Sequence, residues 1–350
     1  MKYPIFFKAA ILRKARAKLS QEIIQFDGPL SHGQVLVKVF YSGVCGKQID
    51  EIQEKGGKDN FIPHLLGHEG VGVVIDIGPG VKKVKKKDEV VMHWVKGSGI
   101  NSKPPKYLDN NKNIINAGWV TTFNEFAVVS ENRMTKVKNA SKHKELSLLG
   151  CAASTGLSIS LKQAKISMKD NILVYGCGGV GLFIIQGAKH LKVKRIIGID
   201  QDKQSLSLAK KCGATDLFNS KKVSFKSSLR KFLINKKINK VFITVGNKFV
   251  IEDGISLTST PGETYVIGVP FYNTTIKVNA FDLMHKKNLF GSLGGDFKPD
   301  NDISRYIKLN NSKKISLKKV ITKTFKLKNI NTAITKVQKG YVGKIMIKTF

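Results

Sequence analysis

At 350 residues the chain is long enough for a sizeable core and for two domains. Its hydrophobic content of 41% is ordinary for a globular protein, and its longest apolar N-terminal run, Ile5 to Leu12, is interrupted by Lys8 and too short to span a bilayer. No signal-peptide pattern precedes that run, so the expectation is a cytoplasmic protein without a membrane partner. The 60 Lys and Arg against 25 Asp and Glu give a net charge of +35. The excess is scattered in short runs such as Lys85-Lys86-Lys87 and Lys236-Lys237, with no aromatic-basic run and no long basic tail. It reads as a solvated surface rather than a nucleic-acid site; it favours an anionic substrate without defining the function. Four cysteines, widely spaced, argue against a disulfide framework.

In chain order, Gln34 to Phe40 alternates with period two and predicts a half-buried strand. Gly70 to Ile77 predicts a second, closed by the turn signal Gly78-Pro79-Gly80, and Val90-Val91-Met92 a third. Residues 96 to 118 are polar and contain Gly97-Ser98-Gly99 and Pro104-Pro105, the pattern of a long surface lobe. From Asn171 short apolar strands alternate with helical patterns, as in a doubly wound parallel sheet. The strands fall at Ile172–Tyr175, Arg195–Ile199, Val241–Val245, Thr264–Val269 and Asn288-Leu289-Phe290. Helices fall at Val180–His190 and Lys203–Cys212, the latter stopped by Gly213. The alternation ends after Gly294-Gly295, which predicts a return to the first domain. The expected division is residues 1–151 with 293–350 against 152–292.

Two constellations carry chemistry. Cys45, His68 in Gly67-His68-Glu69-Gly70, and Cys151 in Gly150-Cys151-Ala152 offer two thiolates and an imidazole. Such a set supplies zinc with three ligands and leaves a fourth position for a reacting oxygen. Glu69 is the adjacent acid, placed to orient a ligand or tune the charge on the metal. The second constellation is Gly176-Cys177-Gly178-Gly179-Val180-Gly181, between a strand and a helix. There Gly176 allows a tight turn, Gly178 lets the backbone approach a pyrophosphate, and Gly181 permits close helix packing. The free N–H groups of Gly179 and Val180 would face the phosphates at the helix start. Asp200 ends the next strand, where a carboxylate accepts from ribose hydroxyls and repels a 2′-phosphate, so NAD is expected over NADP. Cys177 and Cys212 read as structural.

With Gly43-Val44-Cys45-Gly46, Ser154-Thr155-Gly156, Ile197-Gly198-Ile199-Asp200 and Val266-Ile267-Gly268-Val269-Pro270 added, the chain resembles the zinc-containing alcohol dehydrogenases of the medium-chain dehydrogenase/reductase family. The resemblance implies a GroES-like β-rich catalytic domain joined to a Rossmann domain, usually in dimers or tetramers. It places zinc on Cys45, His68 and Cys151. It puts Thr155, Ile267 and Val269 beside the nicotinamide, Trp94 in the substrate pocket, and Lys344 at the cofactor phosphates. The implied activity is hydride transfer between an alcohol or polyol and NAD, with zinc as Lewis acid.

Three departures accompany that likeness. Residues 95 to 120 contain no cysteine, so a second, structural zinc is not expected. Lys47 stands where relatives carry a proton-relaying Ser or Thr, and Gln48 follows in place of an acid. Asp50 replaces the histidine that often completes the relay. Lys47 is then either a partner for an anionic substrate or for the pyrophosphate, a proton carrier, or a solvent-facing bystander. Two alternatives to the dehydrogenase reading are a reductase of anionic carbonyl compounds and a non-catalytic nucleotide-sensing or nucleic-acid-binding protein on the same fold.

Overall fold

The computed structural model describes residues 2–350, which divide into two compact units. The first runs to Ser154 and takes in Phe297–Asn311 and Ile321–Phe350; the second is Thr155–Asp296 with Ser312–Val320. The short segment Ser312–Val320 therefore groups with the second unit although the chain on both sides of it belongs to the first.

The first unit begins with β1 (Ile5–Leu12), β2 (Ser20–Phe26), β3 (Gln34–Val44), β4 (His64–Leu65), β5 (Gly70–Ile77), β6 (Glu89–Met92), β7 (Lys106–Leu108), β8 (Ile114–Asn116), β9 (Phe126–Ser130) and β10 (Met134–Val137). Strands β1, β2, β7, β8 and β4 close a barrel. Its interior holds Phe7, Ile11, Ile24, Tyr107, Ile115 and Val128. The polar lobe expected at residues 96–118 is thus only partly a surface loop. Tyr107 and Ile115 are fully buried and pin the β7–β8 hairpin into the barrel wall. Two apolar residues outweigh the polar composition around them, because each alternates with outward-facing neighbours.

The second unit contributes β11 (Asn171–Tyr175), β12 (Arg195–Asp200), β13 (Asp216–Asn219), β14 (Lys240–Ile243), β15 (Gly262–Val266) and β16 (Lys287–Gly291). They form one sheet in the order β13-β12-β11-β14-β15-β16, parallel throughout. Strand β13 gave no signal in the sequence because its residues are all half-buried at the sheet edge. The strand expected to reach Val269 stops at Val266, because the N–H groups of Ile267 and Gly268 both turn to the Ile243 carbonyl. The helices Gly179–His190 and Lys203–Cys212 follow β11 and β12. Gly213 ends the second at φ +125°, a conformation that favours glycine.

The C-terminal return adds β17 (Ile321–Lys326) and β18 (Lys344–Lys348) to the first unit. There the second sheet runs β10-β6-β5-β3-β18-β17, with β9 also paired to β3. Strand β18 lies antiparallel to the last residues of β3, with Ile345 opposite Val44. That register carries β3 four residues beyond its alternating stretch and sets Lys344 beside Cys45. The helix Gly46–Ile52 is held from below by Ile49 and Ile52, packed with Leu66, Ile330, Ile345 and Ile347.

Candidate active site

Cys45 follows β3 and caps the helix Gly46–Ile52. Its N–H donates to Gln48 Oε1 at 2.8 Å, and Gln48, fully buried, rests its Nε2 against His68 Nδ1. One amide side chain thereby touches two of the three expected ligands, which gives the neutral Gln48 a role at a position the sequence marked as a departure. His68 follows Gly67, whose φ of +92° and contact with Thr122 Oγ1, 2.5 Å from where a Cβ would sit, leave no room for a side chain. Cys151 follows Gly150, where a Cβ would meet the Met92 carbonyl at 2.3 Å. These turns bring Cys45 Sγ to 4.0 Å from Cys151 Sγ and set the ligand atoms of Cys45, His68 and Cys151 within 4.8 Å of one another. Two thiolates on one tetrahedral zinc lie about 3.8 Å apart, so the donor set fits that ion in both chemistry and spacing.

The electrostatics suit a cation. The hydrogen bond from the Cys151 thiol, aided by Lys344 and His68 against the cost of burial, holds Cys45 well below the usual thiol range. The same bond and burial push Cys151 up. Burial disfavours charge on His68, but Cys45, Glu69 and Glu51 outweigh it and raise its pKa. A cation shared by the three removes the competition for protons.

Glu69 is not part of this cluster. Its carboxylate accepts from the Lys344 ammonium and, at 3.1 Å, from the Ala152 N–H. Lys344 also donates to the Val44 carbonyl at 2.9 Å. Both side chains are buried. The expectation that Lys344 serves the cofactor phosphates meets a different placement: its ammonium is committed to Glu69 and Val44, one residue from Cys45. Gly43 makes room for this pair, since a Cβ there would lie 2.3 Å from Glu69 Oε1.

On the outer turns of the same helix, Asp50 pairs with Lys55 at 2.9 Å. Lys47 is half-buried and makes no hydrogen bond or ion pair among the described residues. Glu51, which carried no sequence signal, is likewise half-buried and unpaired among them. Burial raises its pKa, against the opposing charges of His68, Lys47 and His64. Trp94 is bonded through its N–H to the Gly150 carbonyl at 3.3 Å, next to Cys151. Its own carbonyl accepts from Arg133 Nη1, a residue no motif had marked.

In the second unit the glycine turn has the shape of a phosphate cradle. Gly176 adopts φ +90°. A Cβ on Gly181 would lie 2.0 Å from the Gly176 carbonyl oxygen, whereas one on Gly178 would meet nothing within 4 Å. Gly178 is therefore the open face, and the helix beginning at Gly179 has no side-chain cap on its first N–H groups. Val180 packs tightly as well: a Cβ on Gly156, the neighbour of buried Thr155, would lie 2.5 Å from its carbonyl oxygen. Asp200 accepts from the Cys177 N–H at 2.7 Å and from the Asp202 N–H at 2.9 Å, so it ties the turn to the following loop. Beside it a hollow of about 380 Å³ is lined by residues that include Gln201, Lys203 and Asn219. Ile267 and Val269 follow β15, with Val269 half exposed. Cys177 and Cys212 are buried, and burial raises both thiol pKa values.

Residues 31–139 match the alcohol dehydrogenase GroES-like domain and residues 179–312 the zinc-binding dehydrogenase family. The chain belongs to the zinc-containing medium-chain dehydrogenases. Among curated members of this family, an S-(hydroxymethyl)glutathione dehydrogenase of Synechocystis is 27% identical, covering 91% of this chain and 94% of its own. One of Escherichia coli is 29% identical, covering 93% and 96%. Benzyl alcohol dehydrogenase from Acinetobacter calcoaceticus superposes with a TM-score of 0.87 at 25% identity, over 99% of this chain and 100% of its own. An alcohol dehydrogenase zinc-binding domain protein from Burkholderia ambifaria reaches 0.89 at 23%, over the same shares. An Escherichia coli alcohol dehydrogenase complexed with NADH reaches 0.79 at 22%, covering 98% of this chain and 99% of its own. As a zinc-containing dehydrogenase, the chain is an NAD- and zinc-dependent oxidoreductase with one Cys-His-Cys cluster among its described residues. No helix among them is long and apolar enough to cross a membrane.

Proposed function

We propose that the protein exchanges hydride between NAD and the carbinol carbon of a small primary alcohol, acting in the cytoplasm as a homodimer. The observation that carries the reading is the three-donor cluster of Cys45, His68 and Cys151, whose spacing leaves a tetrahedral ion one position for substrate oxygen. Zinc held there supplies Lewis acidity to the alcohol oxygen, and the nicotinamide supplies the hydride acceptor.

The chain's own residues do the rest. Gln48 orients His68 and locks the Cys45 backbone, so the ligands are set before substrate arrives. The two thiolates neutralise the metal's charge, while the Glu69–Lys344 pair brings a permanent ammonium to within one residue of Cys45. Lys47 and Glu51 are the uncommitted titratable groups on the Gly46–Ile52 helix, and they stand in for the missing hydroxyl as the route by which the alcohol proton leaves. Gly178 and the first N–H groups of the Gly179–His190 helix receive the pyrophosphate. Asp200 keeps a lone pair on each oxygen for the ribose hydroxyls, which favours NAD over NADP.

The S-(hydroxymethyl)glutathione dehydrogenases and benzyl alcohol dehydrogenase among the relatives support primary alcohols as the substrate class. The test is a panel of primary alcohols, secondary alcohols and polyols, read by absorbance of NADH and repeated with NADP. Primary alcohols should give the highest kcat/KM, with NAD preferred. Turnover confined to polyols, or a preference for NADP, would overturn the reading.

A further inference from the structure

Between Asp216 and Glu252 the chain has no acidic residue and nine basic ones. The middle of that stretch is the helix Phe225–Leu233. Phe225 and Leu229, one turn apart, are buried in the core of the second unit with Ile238 and Val241, which fixes the side of the helix that faces in. Counted from Ser227, residues 230, 231 and 234 fall at i+3, i+4 and i+7, so Ser227, Arg230, Lys231 and Ile234 share the opposite side. All four are exposed. Val223, four residues before Ser227 in the turn that leads into the helix, is fully exposed, and Ile234, just past its end, is 63% exposed. Lys222, Lys226 and Lys237 flank this stripe and are exposed as well.

The helix alone does not account for the stripe. Arg230 and Lys231 stand in the last turn, where the carbonyl end of a helix favours a cation, but that explanation does not extend to Lys222, Lys226 or Lys237. Either exposed aliphatic side chain by itself is ordinary; the two together bracket a cationic stripe. Phosphates alone would leave both aliphatics idle. A surface for unpaired nucleic acid would stack bases on exposed aromatic rings, and this one offers none. Its half-buried Phe232 is already covered by the Lys236 ammonium and the Arg195 guanidinium, 4.6 and 5.9 Å from the ring centre. An anionic bilayer uses both features at once: its headgroups attract the cations, and its acyl boundary takes up the aliphatic tips. We propose that the helix Phe225–Leu233, with Val223 and Ile234 at its ends, is a peripheral docking surface for an anionic lipid bilayer. The helix lies along the interface, Lys226, Arg230 and Lys231 pair with lipid phosphates, and Val223 and Ile234 enter between the headgroups. The expectation of no membrane partner rested on the lack of a spanning run, and an interfacial helix needs none.

The test is flotation of the zinc-loaded protein with vesicles of phosphatidylcholine alone and with vesicles of equal parts phosphatidylcholine and phosphatidylglycerol. The protein should float with the mixed vesicles only, and added salt should release it. Arg230→Gln with Lys231→Gln should weaken that binding at least about tenfold, since each cation near such a surface contributes about fivefold. Val223→Ser with Ile234→Ser should weaken it severalfold through the lost apolar contact. Lys138→Gln with Lys142→Gln, which removes the same charge at two exposed lysines of the first unit, should retain it. Every replaced side chain is exposed, so each variant keeps its fold. No binding to the mixed vesicles would overturn the proposal. Binding that the Lys138 and Lys142 pair weakens as much as the Arg230 and Lys231 pair would do the same, because net charge and not the stripe would then be responsible. Binding that survives loss of Val223 and Ile234 unchanged would also refute it, and a stripe that holds a DNA duplex but no vesicle would belong to nucleic acid instead.

Discussion

The most consequential side chain outside the zinc ligands is Lys344. Its ammonium is buried against Glu69 and Val44. Burial opposes its charge, but Glu69, Cys45 and Cys151 raise its pKa, so it stays protonated. Removing one partner of such a pair strands the other, at a cost of about 3–5 kcal/mol. Lys344→Met should lose stability of that order in urea unfolding, and Glu69→Met on the same background should recover part of it; a loss below about 1 kcal/mol would mean the pair is solvated. His93 provides a second residue-level prediction. It is fully buried between the Val95 carbonyl and the Thr135 hydroxyl, and burial pushes its pKa down to about 4. Because the folded pKa lies below the unfolded value, stability is lost as pH falls through the window from about 6.5 to 4. At pH 5 the unfolded chain is protonated there and the folded one is not, which costs about 2 kcal/mol relative to pH 7.5. His93→Gln should therefore lose about 2 kcal/mol less stability than the wild type between pH 7.5 and pH 5, and an equal loss in both would contradict the account.

Among the elements, the glycine turn shows how one motif mixes two demands. Gly181 is constrained by the Gly176 carbonyl oxygen at 2.0 Å, whereas Gly178 faces open space. Gly181→Ala should therefore lower Tm, and Gly178→Ala should leave Tm near the wild type while weakening NAD binding, measured by calorimetry. Equal effects on Tm would contradict the separation. The elements of this unit were legible in the sequence because each carries its own pattern: the short apolar run of Arg195–Asp200, the helix Lys203–Cys212 and its Gly213 stop all arise within a few residues. What escaped was non-local. The β7–β8 hairpin depends on two buried residues in a polar stretch, and Lys344 reaches Val44 across 300 positions through the β3–β18 register. The zinc ligands were legible as residue types, but Gln48 as their fastener and Arg133 as a donor to the Trp94 carbonyl appear only once the chain is folded.

For the whole molecule, the charge of +35 sets the terms of self-association, since two copies repel wherever lysines face each other. Residues 264–276 and 288–295 carry no charge at all. They include exposed Phe271, Tyr272 and Leu293 and run through β16, which among the described residues pairs only with β15 at the edge of the sheet. The stacked rings of Phe242, Tyr265 and Phe290 run outward to that edge. The homodimer proposed above would cover this surface, which suits a patch of this kind in so cationic a chain. The wild type should sediment as a dimer, and Leu293→Glu with Tyr272→Glu should sediment as a monomer; a monomeric wild type would refute the homodimer.

The central claim is that a single zinc on Cys45, His68 and Cys151 enables hydride transfer to NAD. Its most direct test is the rate of NAD reduction by a primary alcohol in chelator-treated protein as zinc is added back. The rate should rise linearly and break at one zinc per chain, with no recovery in Cys151→Ser. A rate that ignores zinc, or that breaks at two equivalents, would contradict it.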